Sequence, residues 1–194
     1  MGKDRKERII TAAEELFQEK SFEEVGIREI AQRAGCSHTT LYLYFKTKNE
    51  LLSAVAQEPL EELYAQFLAI QELETSAGQR LLALAEAFVK FAFSHRNSYH
   101  LLLLAGGERV DKENFDLPLN RIRRDCFAIL RENVEALLAK ELSKEEKLNI
   151  SRGVFLFLQG LVSVYSLEEP AYSLHVKKII GDYLSYTILN RKIK

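Results

Sequence analysis

From Cys36 to Lys48 the chain reads CSHTTLYLYFKTK, without one acidic side chain. His38, Thr39, Thr40 and Tyr42 are spaced to share the outer face of a short helix, and each can form hydrogen bonds without a large desolvation cost. Lys46 and Lys48 add positive charge just beyond them. A second small basic patch, Lys3, Arg5, Lys6 and Arg8 against Asp4 and Glu7, stands at the N-terminus. Hydrogen-bonding groups flanked by cations suit a duplex, whose groove edges carry donors and acceptors between two rows of phosphates.

Catalysis has no comparable candidate. H-E-x-x-H, P-loop and G-x-G-x-x-G spacings are absent. None of the four histidines follows a glutamate at i+3, which speaks against a di-iron bundle. Cys36 and Cys126 are too distant for a metal-type pair or a disulfide framework. The chain is therefore not read as an enzyme, and no catalytic residue, cofactor or metal is expected.

The reading residues need a rigid mount, and the flanking sequence supplies one. A short helix is expected from Ile27 to Arg33 and a second from Ser37, as its cap, to Phe45. They meet at Gly35, where the backbone calls for positive φ. Ala31 is small where the helices cross, while Ile30, Ala34, Cys36, Leu41 and Tyr44 fill the corner between them. This is the layout of a helix-turn-helix, whose second helix enters the major groove.

The rest of the chain is also helical in pattern. Hydrophobic residues make up 47 % and charged residues 28 %, with a net charge of −1, the balance of a globular chain able to bury a core. Only 9 glycines and 3 prolines punctuate 194 residues, which favours long helices over many strands. Asp4…Glu7, Thr47…Glu50, Ser76…Gln79 and Ser143…Glu146 have capping-box spacing. About nine helices are expected in an all-α fold: a three-helix domain over 1–48 and a larger bundle over 49–194. One of the nine is a short apolar helix over Tyr99–Ala105, ended by Gly106-Gly107 and followed by a loop to Asp116. Pro59 should kink or break the long helix after Thr47. The charged N-terminus lacks the apolar stretch of a signal peptide. Val154–Tyr165 is too short for a bilayer, which takes roughly 20 residues. A reduced, cytoplasmic protein with no membrane partner is expected.

Val25 to Val55, VGIREIAQRAGCSHTTLYLYFKTKNELLSAV, resembles the DNA-binding signature of the TetR (tetracycline-repressor) family of bacterial transcription regulators. The matching elements are Ile30-Ala31, Ala34-Gly35, Ser37, Thr40-Leu41-Tyr42, Tyr44-Phe45, Lys48 and Leu51-Leu52. Gly26 stands where the family often has a capping Thr, Thr39 where Gly is common, and Cys36 where Val is usual. The resemblance implies phosphate contacts for Arg28, Ser37, Tyr42 and Lys48. It implies base-edge contacts for His38, Thr39, Thr40 and Tyr44, and Lys46 joins the DNA-binding set.

The resemblance also implies a homodimer on a palindromic operator, with the last two helices forming the dimer surface. Gly153 and Gly160 would let helices cross closely, and Ile180, Tyr183, Leu184, Thr187 and Ile188 supply apolar surface. The larger domain would hold a small-molecule effector. Its expected walls are Tyr64, Phe67, Phe88, Phe91, Phe127, Phe155 and Tyr165, with His95, Arg123 and Gln159 orienting the ligand. The expected function is a ligand-responsive repressor; the alternative is a DNA-binding regulator without a small-molecule switch, independent of ligand or controlled by a protein.

Overall fold

The computed structural model describes residues 2–20, 24–96, 99, 118–165 and 172–189. Eight α-helices and no strand occur among the described residues: α1 (Gly2–Glu19), α2 (Ile27–Arg33), α3 (His38–Tyr44), α4 (Lys48–Gln71), α5 (Ala77–Ser94), α6 (Pro118–Glu135), α7 (Lys144–Tyr165) and α8 (Leu174–Leu184). The fold is all-α. The expected short helix over Tyr99–Ala105, apart from Tyr99, and the loop after it lie outside the described residues, as does Pro170.

Helix starts follow local chemistry. Ser76 and Gln79 close a full capping box at α5, and at α7 Ser143 and Glu146 exchange backbone N–H bonds in the same way. At α4, Thr47 Oγ1 accepts from the Glu50 N–H, but the Glu50 carboxylate reaches past the cap to the Lys46 N–H at 2.7 Å. Asp4 caps nothing, because α1 already runs from Gly2. The last helix passes at Leu184 into a π-helical turn, Ser185–Leu189.

Two hydrophobic cores divide the molecule. The first joins α1, α2 and α3 to the opening of α4, around Ile9, Leu16, Phe17, Ile30, Leu41, Leu51, Leu52 and Val55. The second takes the remainder of α4, from Ala56 through Leu60, Leu63 and Phe67, and packs it with α5, α6, α7 and α8. One uninterrupted helix therefore belongs to both cores. Of the kink or break expected at Pro59, the break does not occur: α4 continues through it. Proline removes one backbone bond and crowds the preceding turn, yet Val55, Ala56, Leu60 and Leu63 are buried on either side and hold the helix together.

A polar lock closes the far end of α4. Buried Asn133 on α6 donates to Gln71 Oε1 at 2.6 Å and accepts from Arg80 Nε at 3.0 Å. Arg80 also donates to the Thr75 carbonyl at 2.6 Å. The α4–α5 connection is thus tied to α6, as buried polar groups demand.

Candidate functional site

The helix-turn-helix is built around one residue. Gly35 has φ +64°, a left-handed conformation that carries no steric cost for glycine. Behind it the Cys36 N–H donates to the Ala31 carbonyl at 2.9 Å and the Gly35 N–H to Gln32 at 3.1 Å, closing α2. From α1, Arg8 Nη2 donates to the Ala34 carbonyl at 2.8 Å, so the turn is clamped from outside as well. Ion pairs Lys20–Glu29 and Arg33–Glu19 further join α1 to α2, and each holds its carboxyl below the usual carboxylate range. At Gly26, where a capping side chain is missing, Glu29 reaches back to the backbone instead.

Ser37 caps α3, its Oγ accepting from the Thr40 N–H at 3.0 Å and lying 2.8 Å from the Thr40 hydroxyl. Leu41 faces the core with no exposure. His38, Thr39 and Tyr42 are exposed on the other side, Thr40 and Tyr44 are half-buried, and the His38 ring stands edge-on to Tyr42 at 4.7 Å. Arg28, Ser37 and Lys46 are exposed and Lys48 is half-buried. Lys6 lies 5.7 Å from the Phe45 ring centroid, bringing the N-terminal cations to the end of α3. Sequence reasoning passes over Leu43, which is 81 % exposed on α3. An apolar side chain there can contact the C5-methyl of thymine. Its signal is an apolar residue two positions from Leu41, and so on the opposite face of the helix.

Behind this face, the second core encloses a cavity of about 40 Å³ among α4, α5, α6 and α7. Phe67, Phe88, Phe91, Arg123, Phe127, Phe155 and Gln159 line it, together with Leu60, Leu63, Tyr99, Cys126 and Leu130, which sequence reasoning does not name. Tyr64, His95 and Tyr165 are not among the lining residues. His95 instead ends α5, its Nδ1 3.2 Å from the Phe91 carbonyl and its ring stacked on Phe91. Tyr165 meets His175 edge-on, and Tyr64 packs against the core from outside.

Burial raises the Tyr99 hydroxyl well above the ordinary phenol range. Burial, followed by the charge of Asp125, pushes the Cys126 thiol up to about 12. Thiolate is the reactive form, so Cys126 should resist iodoacetamide at pH 8 while half-buried Cys36 is alkylated; mass spectrometry of the native protein checks the order. No cluster of three or more His, Cys, Asp or Glu residues able to hold a metal occurs among the described residues.

Of the expected dimer residues, Ile180, Leu184 and Ile188 are buried in the chain's own core. Gly153, Tyr183 and Thr187 are half-buried, Tyr183 stacking on Phe157 at 3.6 Å between ring centroids. Gly160 is exposed and open, flanked by exposed Leu156 and Val164. The apolar run is also longer than expected. By length and composition alone α7, with 22 residues, could cross a membrane. Its character has a local cause: one face is buried through Ser151, Val154, Leu158, Leu161 and Val162, and the opposite face is apolar too.

Two family models match the chain in order: bacterial regulatory proteins of the tetR family over residues 9–55, and the tetracyclin repressor-like C-terminal domain over residues 81–169. The HTH-type transcriptional activator FasR of Mycolicibacterium smegmatis is 34 % identical over 99 residues, which is 51 % of this chain and 45 % of that one. The chain spans only 28–45 % of the length of the first curated relatives it matches. A fatty acid metabolism regulator protein of Bacillus subtilis is 29 % identical over 171 residues, 86 % of each chain. The fold resembles the crystal structure of the regulator FadR from Bacillus subtilis in complex with stearoyl-CoA, with a TM-score of 0.63 at 18 % identity over 93 % of this chain and 96 % of that one. A glycine-centred helix-turn-helix, a helical bundle mounted on its fourth helix, and these matches along both parts lead to one assignment: the chain belongs to the TetR family of bacterial transcriptional regulators.

Proposed function

We propose that this protein is a homodimeric regulator that grips a palindromic operator and releases it when a small molecule with a long apolar portion enters the cavity. The observation that carries the reading is the cavity's placement. Its lining is almost wholly apolar, and Leu60, Leu63 and Phe67 on α4 form one wall. Leu51, Leu52 and Val55 of that same helix pack under the helix-turn-helix. A ligand that pushes α4 aside to fit therefore also changes how α3 is held. It shifts the equilibrium only as far as it prefers one arrangement over the other.

The likeness over 86 % of the chain to a fatty acid metabolism regulator, and to a fold carrying stearoyl-CoA, supports an acyl chain as the apolar portion. In the dimer, two α3 helices would read half-sites about 34–36 Å apart. Arg28, Ser37, Tyr42, Lys46 and Lys48 would hold phosphates, and His38, Thr39, Thr40 and Tyr44 would meet base edges. Repression is the reading for sites where the bound dimer blocks a promoter.

One observation favours the second reading, a regulator without a small-molecule switch. A cavity of about 40 Å³ has room for little more than a water or two, so an acyl chain must turn Phe88, Phe127 or Phe155 aside. The deciding experiment first selects an operator from random duplex DNA. Operator affinity is then measured by fluorescence anisotropy with palmitic acid, palmitoyl-CoA and short-chain acids present. The primary reading expects a loss of about tenfold or more with a long-chain compound, within the usual range of allosteric coupling. Unchanged affinity at saturating concentrations of every compound would leave the switchless regulator standing.

A further inference from the structure

The cavity is greasy except at one side, where polar groups from three parts of the chain gather. Tyr99 follows α5, Arg123 lies on α6 and Gln159 on α7, and all three line the cavity. Asn120 sits one turn before Arg123, and its Oδ1 accepts from Arg123 Nη1 at 2.8 Å. Tyr99 is 7 % exposed and Asn120 is 2 % exposed. Yet the Tyr99 hydroxyl and the Asn120 Nδ2 have no hydrogen-bond partner. Buried polar groups are nearly always satisfied, so the Tyr99 hydroxyl, on a residue that lines the cavity, calls for a missing partner there.

The chemistry of that partner follows from what the cluster can offer. With Asn120 Oδ1 engaged by a guanidinium, which only donates, the amide orientation is fixed and its buried NH₂ group remains a donor. Burial keeps the Tyr99 hydroxyl protonated near neutral pH. Arg123 adds a permanent positive charge beside it, and the Gln159 side chain lies next to the hydroxyl. The Tyr99 ring is held in place by its edge-on contact with Phe88 at 5.8 Å. Every group thus presents donors, and the set includes a full charge, so an anionic acceptor fits better than a neutral carbonyl.

We propose that the cavity takes a free long-chain carboxylic acid, its carboxylate accepting from Tyr99, Arg123 and Gln159 and its chain lying among Phe88, Phe127 and Phe155. Asn120 acts as a positioning residue that aims Arg123. The assignment rests on the cavity being the effector site, and it names the effector's head group. A thioester carries no anion at this position.

The test compares palmitic acid, methyl palmitate and palmitoyl-CoA by isothermal titration, with the full chain and its Tyr99→Phe and Gln159→Leu variants. The acid should bind about tenfold more tightly than the ester, a factor set by one charge-assisted hydrogen-bond group. Either variant should narrow that preference, lowering acid affinity by a larger factor than ester affinity. Tyr99→Phe discards a hydroxyl that satisfies nothing in the protein, so its thermal midpoint should stay level or rise, a result that a merely structural role for Tyr99 would not give. Equal binding of acid and ester, or a preference for palmitoyl-CoA that survives Tyr99→Phe, overturns the carboxylate assignment alone. Failure of all three compounds to bind overturns both the assignment and the effector reading beneath it.

Discussion

Leu156→Glu combined with Val164→Glu should convert the protein to a folded monomer and lower operator affinity by two orders of magnitude or so. Both side chains are exposed apolar groups, at 64 % and 68 %, with Gly160 open between them. The spacing i, i+4, i+8 sets the three along one stripe of α7. Leu174 and Tyr186, also exposed, extend apolar surface onto the last helix and its π turn. A contiguous stripe of this kind is unusual on a monomer and typical of a partner surface. A second copy is the fitting partner, since a single helix-turn-helix holds little DNA and a two-fold pair reads two half-sites at once. Losing the pair removes the gain from simultaneous binding, which exceeds the loss from any one base contact. Because neither residue is buried within the chain, the core should survive, and circular dichroism should be unchanged. Sedimentation equilibrium is the check: a double variant that remains dimeric places the interface elsewhere.

The proposed interface is only half legible in the sequence, for a physical reason. From Val154 to Tyr165 α7 is apolar nearly all round, and pattern alone does not say which stripe faces the core. Ile180, Leu184 and Ile188 are expected at a partner surface because the resemblance puts that surface on the last two helices, yet they fill the chain's own interior. Their side chains see α5 and α7, a fact of tertiary packing that no local spacing encodes. Leu156 and Val164, which the pattern leaves unassigned, are the apolar side chains that stay exposed.

The helix-turn-helix is far more legible. Its signals are local: Ser37 as cap, Gly35 at the turn, Leu41 inward and polar neighbours outward, all within a few residues. Even there, Leu43 escapes notice, since an exposed leucine gives no sign of itself until the helix is placed. The cavity falls between these cases. Aromatic stripes on α5, α6 and α7 point to Phe88, Phe91, Phe127 and Phe155, which line it. Tyr64, His95 and Tyr165 share those helical spacings but do not line it; His95 lies past the end of α5, stacked on Phe91, and Tyr165 meets His175 instead. Tyr99 is hidden because its apolar neighbours make it look like one more packing residue. Pro59 shows the opposite case: proline chemistry argues for a kink or a break in α4, and the helix runs on through it with buried residues on both sides.

Gly35→Ala should destabilise the first core by about 2.5–5 kcal/mol, from two terms that can be separated. The left-handed conformation at φ +64° costs an alanine about 1–2 kcal/mol. The new Cβ would also stand 2.7 Å from Arg8 Nη2, so that side chain must withdraw. Its hydrogen bond to the Ala34 carbonyl, a charged one worth about 1.5–3 kcal/mol, is then stretched or lost. Because α2 and α3 diverge from this turn, operator affinity should fall at least tenfold even in molecules that remain folded. Arg8→Ala alone should remove the clamp without backbone strain. In the double variant Gly35→Ala with Arg8→Ala, the loss should be smaller than the sum of the single losses, since the clash has no partner left. Urea unfolding of the four proteins measures this coupling directly. Strict additivity would mean that Arg8 and Gly35 act independently, and that the turn owes its shape to glycine's backbone freedom alone.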